Sequence, residues 1–204
     1  MSEATAVVEN LRRSAQYLAL MEERRSQLRH QLVEAIPPGS SFVWEVGCGH
    51  GHFLAAYAQA HPEKLCLGID IASDRIARAQ RKRDRAAGSN LHFFHAEAGL
   101  FLDTLPAGTS IADSFILFPD PWPKQRHQKH RILQPKFLDQ LAAHARSGCR
   151  LCFRTDFGPY FEGARAAIMV HPQWEVVAEA WPFEFATVFQ SRAASFHSLI
   201  ARRR

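Results

Sequence analysis

The sequence predicts an α/β protein: a doubly wound, parallel sheet carrying an N-terminal helical extension. Three observations point there. Short strand-like apolar runs alternate with helix-like amphipathic runs from residue 40 onward. The first strand-like run empties into a glycine-dense turn, Glu45-Val46-Gly47-Cys48-Gly49-His50-Gly51. The chain's 204 residues, 47% hydrophobic and 22% charged, suffice for a core and are too apolar for a disordered segment. No internal repeat or low-complexity linker divides it, so the expectation is one domain over 1–204, with the helical extension at 1–38 and the core at 40–204.

Each element has its own signal. Over 6–35, Val7, Val8, Leu11, Ala15, Leu18, Met21, Leu28 and Leu32 recur at helical spacing, and Pro37-Pro38-Gly39 ends the run. Strands are expected at 42–46, 64–70, 91–95, 111–118 and 150–155, with two more at 174–180 and 195–201. Helices are expected at 52–60, ended by His61-Pro62, and at 74–86, with Ser73 as cap and Gly88 just past the end. Two further helices are expected at 134–146, with Pro135 in its first turn, and at 159–169, opened by Pro159.

Composition narrows the function classes. A net charge of +5 favours a polyanionic partner over a cationic one. No apolar run is long enough to span a membrane, and the polar start MSEATAVVENLRRSAQ lacks an apolar signal core, so a cytoplasmic protein without a membrane partner is expected. Cys48, Cys66, Cys149 and Cys152 do not form a secreted disulfide pattern. Cys149 and Cys152 read as small apolar strand residues with no second pair at metal spacing, so no metal is expected. None of the histidines stands in a nucleophile context.

The turn after the first strand reads G-x-G-x-G over Gly47, Gly49 and Gly51, with His52 where a dinucleotide fold wants glycine or alanine. Such glycines let the backbone turn tightly and let a ligand approach the main chain. A loop of this kind after strand one is the usual mark of an S-adenosylmethionine pocket. Asp70 ends the second strand, where an acid accepts the two ribose hydroxyls of an adenosine or, more simply, caps the next helix. Glu97, after the third strand, is placed to receive an adenine amino group. Glu45, inside the first strand, is an unexpected core carboxylate with a loop-organising or ligand role.

The segment Phe118-Pro119-Asp120-Pro121-Trp122-Pro123-Lys124 follows the fourth strand, on the same edge as the glycine loop. Its prolines stiffen the backbone around one acid, a way to hold an acceptor-gripping carboxylate. Lys124, Arg126, Lys129 and Arg131, with His127 and His130, read as a phosphate-gripping segment; Trp122 either stacks on a base or covers the core. The 74–86 helix adds Arg75, Arg78, Lys82 and Arg85 on one face.

The block FPDPWPKQRHQKHRILQ, preceded by EVGCGHG and GID and followed by RTDFGPY, resembles the signature of the tRNA (guanine-N7)-methyltransferase family over roughly residues 40–192. The resemblance implies a Rossmann-like, class I S-adenosylmethionine-dependent methyltransferase that methylates N7 of a variable-loop guanine in tRNA. It also implies donor-binding roles for Glu45, Gly47, Gly49, Gly51, Asp70 and Glu97, and an acceptor-site acid at Asp120. Lys124, Arg126, Asp156, Thr187, Gln190 and Arg192 fall on its substrate side, with tRNA as partner and a monomer or homodimer as assembly. Gln190 stands where the family carries glutamate, and Glu97 where it usually carries aspartate. Two alternatives share the fold: a methyltransferase for another RNA or a small molecule, and a non-catalytic RNA-binding relative. A nicotinamide oxidoreductase is disfavoured by the G-x-G-x-G turn.

Overall fold

The computed structural model describes residues 3–86, 89–187 and 190–204, with the side chains of 3–14, of Ala86 and of Arg192 left aside. Seven strands form one sheet: β1 (Ser41–Val46), β2 (Leu65–Asp70), β3 (Leu91–His95), β4 (Ser110–Leu117), β5 (Ala145–Thr155), β6 (Trp174–Val177) and β7 (His197–Arg203), in the order β3-β2-β1-β4-β5-β7-β6. The helices are α1 (Glu3–Ala35), α2 (His52–Ala60), α3 (Ser73–Ala86), α4 (Ala98–Thr104), α5 (Pro135–His144) and α6 (Gly158–Met169).

The five central strands pair in parallel. The last strand departs from the parallel expectation: β7 inserts between β5 and β6 and runs antiparallel to both. Burial on both faces explains why the central strands read as near-continuous apolar runs. Phe42, Trp44, Val46, Ile116, Leu151 and Phe153 meet α1, α4, α5 and α6 on one face. Val43, Phe93, Phe115 and Cys152 meet α2 and α3 on the other, together with Trp181, Phe183 and Phe185. The segment after β6 thus covers a stretch of sheet that a helix could have covered. Phe183 reaches Phe53 and Tyr57 at centroid distances of 5.8 and 5.2 Å.

Other differences are local. α4 was not anticipated, because its seven residues are too few to show a helical period. α5 stops at His144 rather than Arg146; the three residues Ser147, Gly148 and Cys149 belong to an irregular start of β5, where Gly148 has φ 78°. Among the described side chains, α1 packs through its last turns: Leu28 and Leu32 are buried, whereas Leu18, expected on the packed face, is 66% exposed. The side chains of Val7, Val8 and Leu11 are not described, and Gly88 lies outside the described residues. All four cysteines are buried free thiols, as a strand and core reading requires. No described helix is long and apolar enough to cross a membrane.

Candidate active site

Strand order reverses between β1 and β4, so the chain leaves the sheet in opposite directions there and opens a crevice beyond the strand ends. The residues singled out in sequence converge on that edge. The turn after β1 is tied to β2: Cys48 N–H donates to Ile69 O at 2.8 Å, and Gly49 N–H donates to Asp70 Oδ2 at 2.9 Å. Gly47, Gly49 and Gly51 have φ of 72°, 53° and 68°, in the left-handed region. An added Cβ at Gly47 or Gly49 would meet nothing within 4 Å, so this backbone borders open space. At Gly51 it would lie 2.4 Å from the Phe93 ring. Two of the glycines thus make an approachable cradle, and the third lets the turn pack on the sheet.

Glu45 lies beneath this turn, 4% exposed, with Oε2 buried and unpartnered among the described residues. Burial pushes its carboxyl up to about 8; the Leu54 N–H in the first turn of α2 pulls the other way, and the Asp70 charge adds to the rise. Asp70 is also buried. Its Oδ1 accepts Ala72 N–H at 2.8 Å, and Arg75 Nη1 lies 3.8 Å from Oδ2. The helix-capping and loop-tying geometry is therefore present, and each oxygen keeps a lone pair for a further donor. Ile71 beside it is 72% exposed, an apolar surface that sequence reasoning did not single out. Glu97 is exposed at the start of α4, in extended conformation, with no side-chain capping bond. Lys82 links the turn to α3, donating to His50 O at 3.1 Å and meeting His52 Nδ1 at 2.7 Å.

Across the switch point, Phe118 and Trp122 have φ of 50° and 43°. Non-glycine residues adopt that region at a cost of about 1–2 kcal/mol each. The two strained positions bracket Pro119-Asp120-Pro121 and hold Asp120, exposed, at the crevice. Three bonds maintain the distortion, one of them from Arg131 Nη2 to Trp122 O at 3.4 Å. Phe118 N–H donates to Arg154 O at 2.8 Å, and Arg131 Nε donates to Pro121 O at 2.9 Å. Arg131 is only 7% exposed and stacks on Tyr160 at 4.9 Å. It is a loop anchor and not one of the phosphate-gripping cations expected from sequence, because an apolar wall closes over its guanidinium. Lys124 and Arg126 are exposed, at the start of the 3-10 turn Gln125–His130. Trp122 is half-buried against His130 and His127, at 5.1 and 5.8 Å.

Asp156 is exposed between β5 and α6, where Phe157 N–H donates to Thr155 Oγ1. Thr187 Oγ1 accepts Gln190 N–H at 3.0 Å. Phe189 and the side chain of Arg192 lie outside the described residues. A polar cleft of about 430 Å³ opens at the opposite edge of the sheet. Arg150 is bonded there to both oxygens of Asp113 and Arg202 to Glu179.

Residues 40–193 match the family described as "Putative methyltransferase". A curated tRNA (guanine-N(7)-)-methyltransferase of Caulobacter sp. strain K31 is 33% identical over 156 residues, 74% of this chain and 69% of that one. The chain belongs to the tRNA (guanine-N7)-methyltransferase family. The Synechococcus sp. JA-2-3B'a(2-13) enzyme of the same name is 36% identical over 67% of this chain and 57% of its own. That of Caulobacter vibrioides NA1000 / CB15N is 34% identical over 70% and 63%. The chain thus spans about three fifths of these two relatives. Solved structures confirm the Rossmann-like methyltransferase fold. A precorrin-6y C5,15-methyltransferase from Geobacter metallireducens superposes with TM-score 0.55 at 15% identity, covering 88% of this chain and 87% of that one. An aminoglycoside resistance methyltransferase superposes with TM-score 0.58 at 16% identity, covering 86% and 93%.

Within that family frame, sequence reasoning overlooked two residues besides Ile71. Arg154, at the end of β5, is 4% exposed, and Glu184 grips it through two bonds. An arginine inside the apolar run of Cys152-Phe153-Arg154-Thr155 was the available signal for the first, since a buried guanidinium requires partners. Nothing local marked Glu184.

Proposed function

We propose that this chain is an S-adenosylmethionine-dependent methyltransferase acting on N7 of a guanine in tRNA, a cytoplasmic one-domain enzyme that uses no metal. One observation carries the reading. A glycine cradle with an orphaned buried carboxylate faces, across the topological switch point, an aspartate fixed between two strained residues. The residues fit the donor: Gly47 and Gly49 leave room for it, and Glu45 Oε2 lacks a partner that a cationic amino group would supply. Asp70 would take ribose hydroxyls, Ile71 would flank the adenine, and Glu97 would meet its amino group. S-adenosylmethionine supplies an electrophilic sulfonium methyl.

The work left to the chain is alignment. Guanine N7 carries an in-plane lone pair and no proton, so no residue need act as a base. Asp120 would accept hydrogen bonds from the guanine N1–H and amino group and oppose the positive charge that develops on the ring. Asp156 and Thr187 would assist. The backbone strain at Phe118 and Trp122 fits this role, because a preorganised carboxylate needs no reorganisation as charge develops. Lys124 and Arg126 would meet phosphates, and so would α3, whose Arg78, Arg81 and Arg85 are exposed with no partner among the described residues.

The test is incubation with labelled donor and unmodified tRNA, followed by digestion and detection of 7-methylguanosine. Asp120→Asn should lower transfer by about 10²–10³-fold, as for other lost transition-state partners, with donor affinity unchanged. Wild-type transfer rates in that variant would refute the assigned role; methylation confined to small acceptors would refute the tRNA reading.

A further inference from the structure

Arg154 joins the two halves of the acceptor edge. Its carbonyl oxygen holds the Phe118 N–H at the start of the Asp120 loop. Its side chain reaches the other way, into the segment after β6. Nε donates to Ser198 Oγ at 3.0 Å; Nη1 and Nη2 donate to Glu184 Oε2 and Oε1 at 2.9 and 2.6 Å. The guanidinium lies 3.8 Å from the Trp181 ring centroid and 5.1 Å from that of Phe196. A planar cation held by a two-pronged carboxylate and two aromatic faces has little rotational freedom.

The second Nη1 N–H of this guanidinium meets Gln190, whose Oε1 lies 3.3 Å from Nη1. Arginine offers only donors. The amide oxygen of Gln190 must therefore face Arg154, and the NH2 is left to donate elsewhere; no described group accepts from it. The Gln190 backbone is fixed as well, through Thr187 Oγ1. Orientation of this amide is thus decided by a neighbour and not left free.

We infer that Arg154, clamped by Glu184, is a positioning residue that turns the Gln190 amide so that position 190 presents a hydrogen-bond donor to the acceptor. The inference rests on the proposed tRNA-methylating function and deepens it. Asp120 and Asp156 bring acceptors to the base, whereas Gln190 brings a donor, suited to a carbonyl oxygen on the base edge. A glutamate at 190 would bring a second carboxylate to a guanidinium that Glu184 already neutralises, and it would offer no donor.

Arg154 itself is too buried for a clean substitution, so the test uses Gln190→Ala, Gln190→Glu, Glu184→Gln and the double variant Glu184→Gln/Gln190→Ala. Each is assayed for tRNA methylation, with kcat and KM separated, and for donor affinity. With one hydrogen bond lost, Gln190→Ala should lower kcat about tenfold, and Gln190→Glu at least as much. KM for tRNA and donor affinity should stay near wild type, because phosphate contacts carry the affinity. Glu184→Gln should lower kcat severalfold alone and add nothing in the Gln190→Ala background. Equal Glu184→Gln losses in both backgrounds would mean a merely structural ion pair and overturn the inference. So would a Gln190→Glu enzyme as fast as wild type. A wild-type protein that methylates no tRNA overturns the function on which the inference stands, a failure visible before any variant is compared.

Discussion

Glu45→Gln tests the buried carboxyl at the centre of the donor cradle. In the unfolded chain this group titrates near 4.5, and burial raises it to about 8 in the native state. Between those values the native protein keeps a proton that the unfolded chain has released. The raised acid therefore contributes stability at low pH that is lost as pH rises through that window. The slope is about 1.4 kcal/mol per pH unit, and the sum across the window is about 5 kcal/mol. Glutamine has nearly the same shape and does not titrate, so the variant should lack this slope. It starts lower by about 1–3 kcal/mol, the cost of a buried amide without its full set of partners. The two stability curves should then cross between pH 5 and 8, with the variant the more stable above the crossing. Urea unfolding at half-unit intervals from pH 5 to 8.5 reads this directly. The difference between the two curves isolates Glu45 from the histidines that titrate in the same range, and a variant that keeps the wild-type slope would refute the argument. The same charge should govern the donor. A cationic amino group favours the ionised carboxylate, so wild-type donor affinity should rise with pH toward 8 while that of the variant stays level.

Two further predictions concern the cradle and the RNA face. Gly51→Ala places a Cβ 2.4 Å from the Phe93 ring at φ 68°, so overpacking and left-handed strain together should cost about 3 kcal/mol or more. Gly49→Ala meets no atom within 4 Å and should cost only the strain, about 1–2 kcal/mol; thermal unfolding of the pair separates the terms. Replacing Arg78, Arg81 and Arg85 by alanine should lower the slope of log affinity against log salt for tRNA by about 0.7–0.9 for each cation that meets a phosphate, measured by filter binding. An unchanged slope would place the RNA elsewhere.

The sequence was most legible where a local rule acts alone. Periodicity and turn chemistry placed α2 and β3 to the residue and the five central strands to within a few. Glycine spacing placed the cradle, and the proline-bracketed Asp120 marked its own loop. Arg131 shows the limit: in the string it is one cation in a basic run, and only the Tyr160 wall reveals it as an anchor. Leu18 shows the converse, since a helical period says which residues share a face and not whether another element covers it.

What the sequence by itself determined was the element order apart from α4, the cradle and the family signature, all set by neighbours within a few positions along the chain. Tertiary structure alone decided the antiparallel insertion of β7, the protonation range of Glu45 and the donor face of Gln190. Strand insertion depends on pairing across distant segments. The Glu45 proton depends on the water removed by α2 and the sheet. The Gln190 amide depends on Arg154, thirty-six positions away, with Glu184 to hold it. Desolvation and hydrogen-bond direction are properties of surroundings, and folding supplies those surroundings.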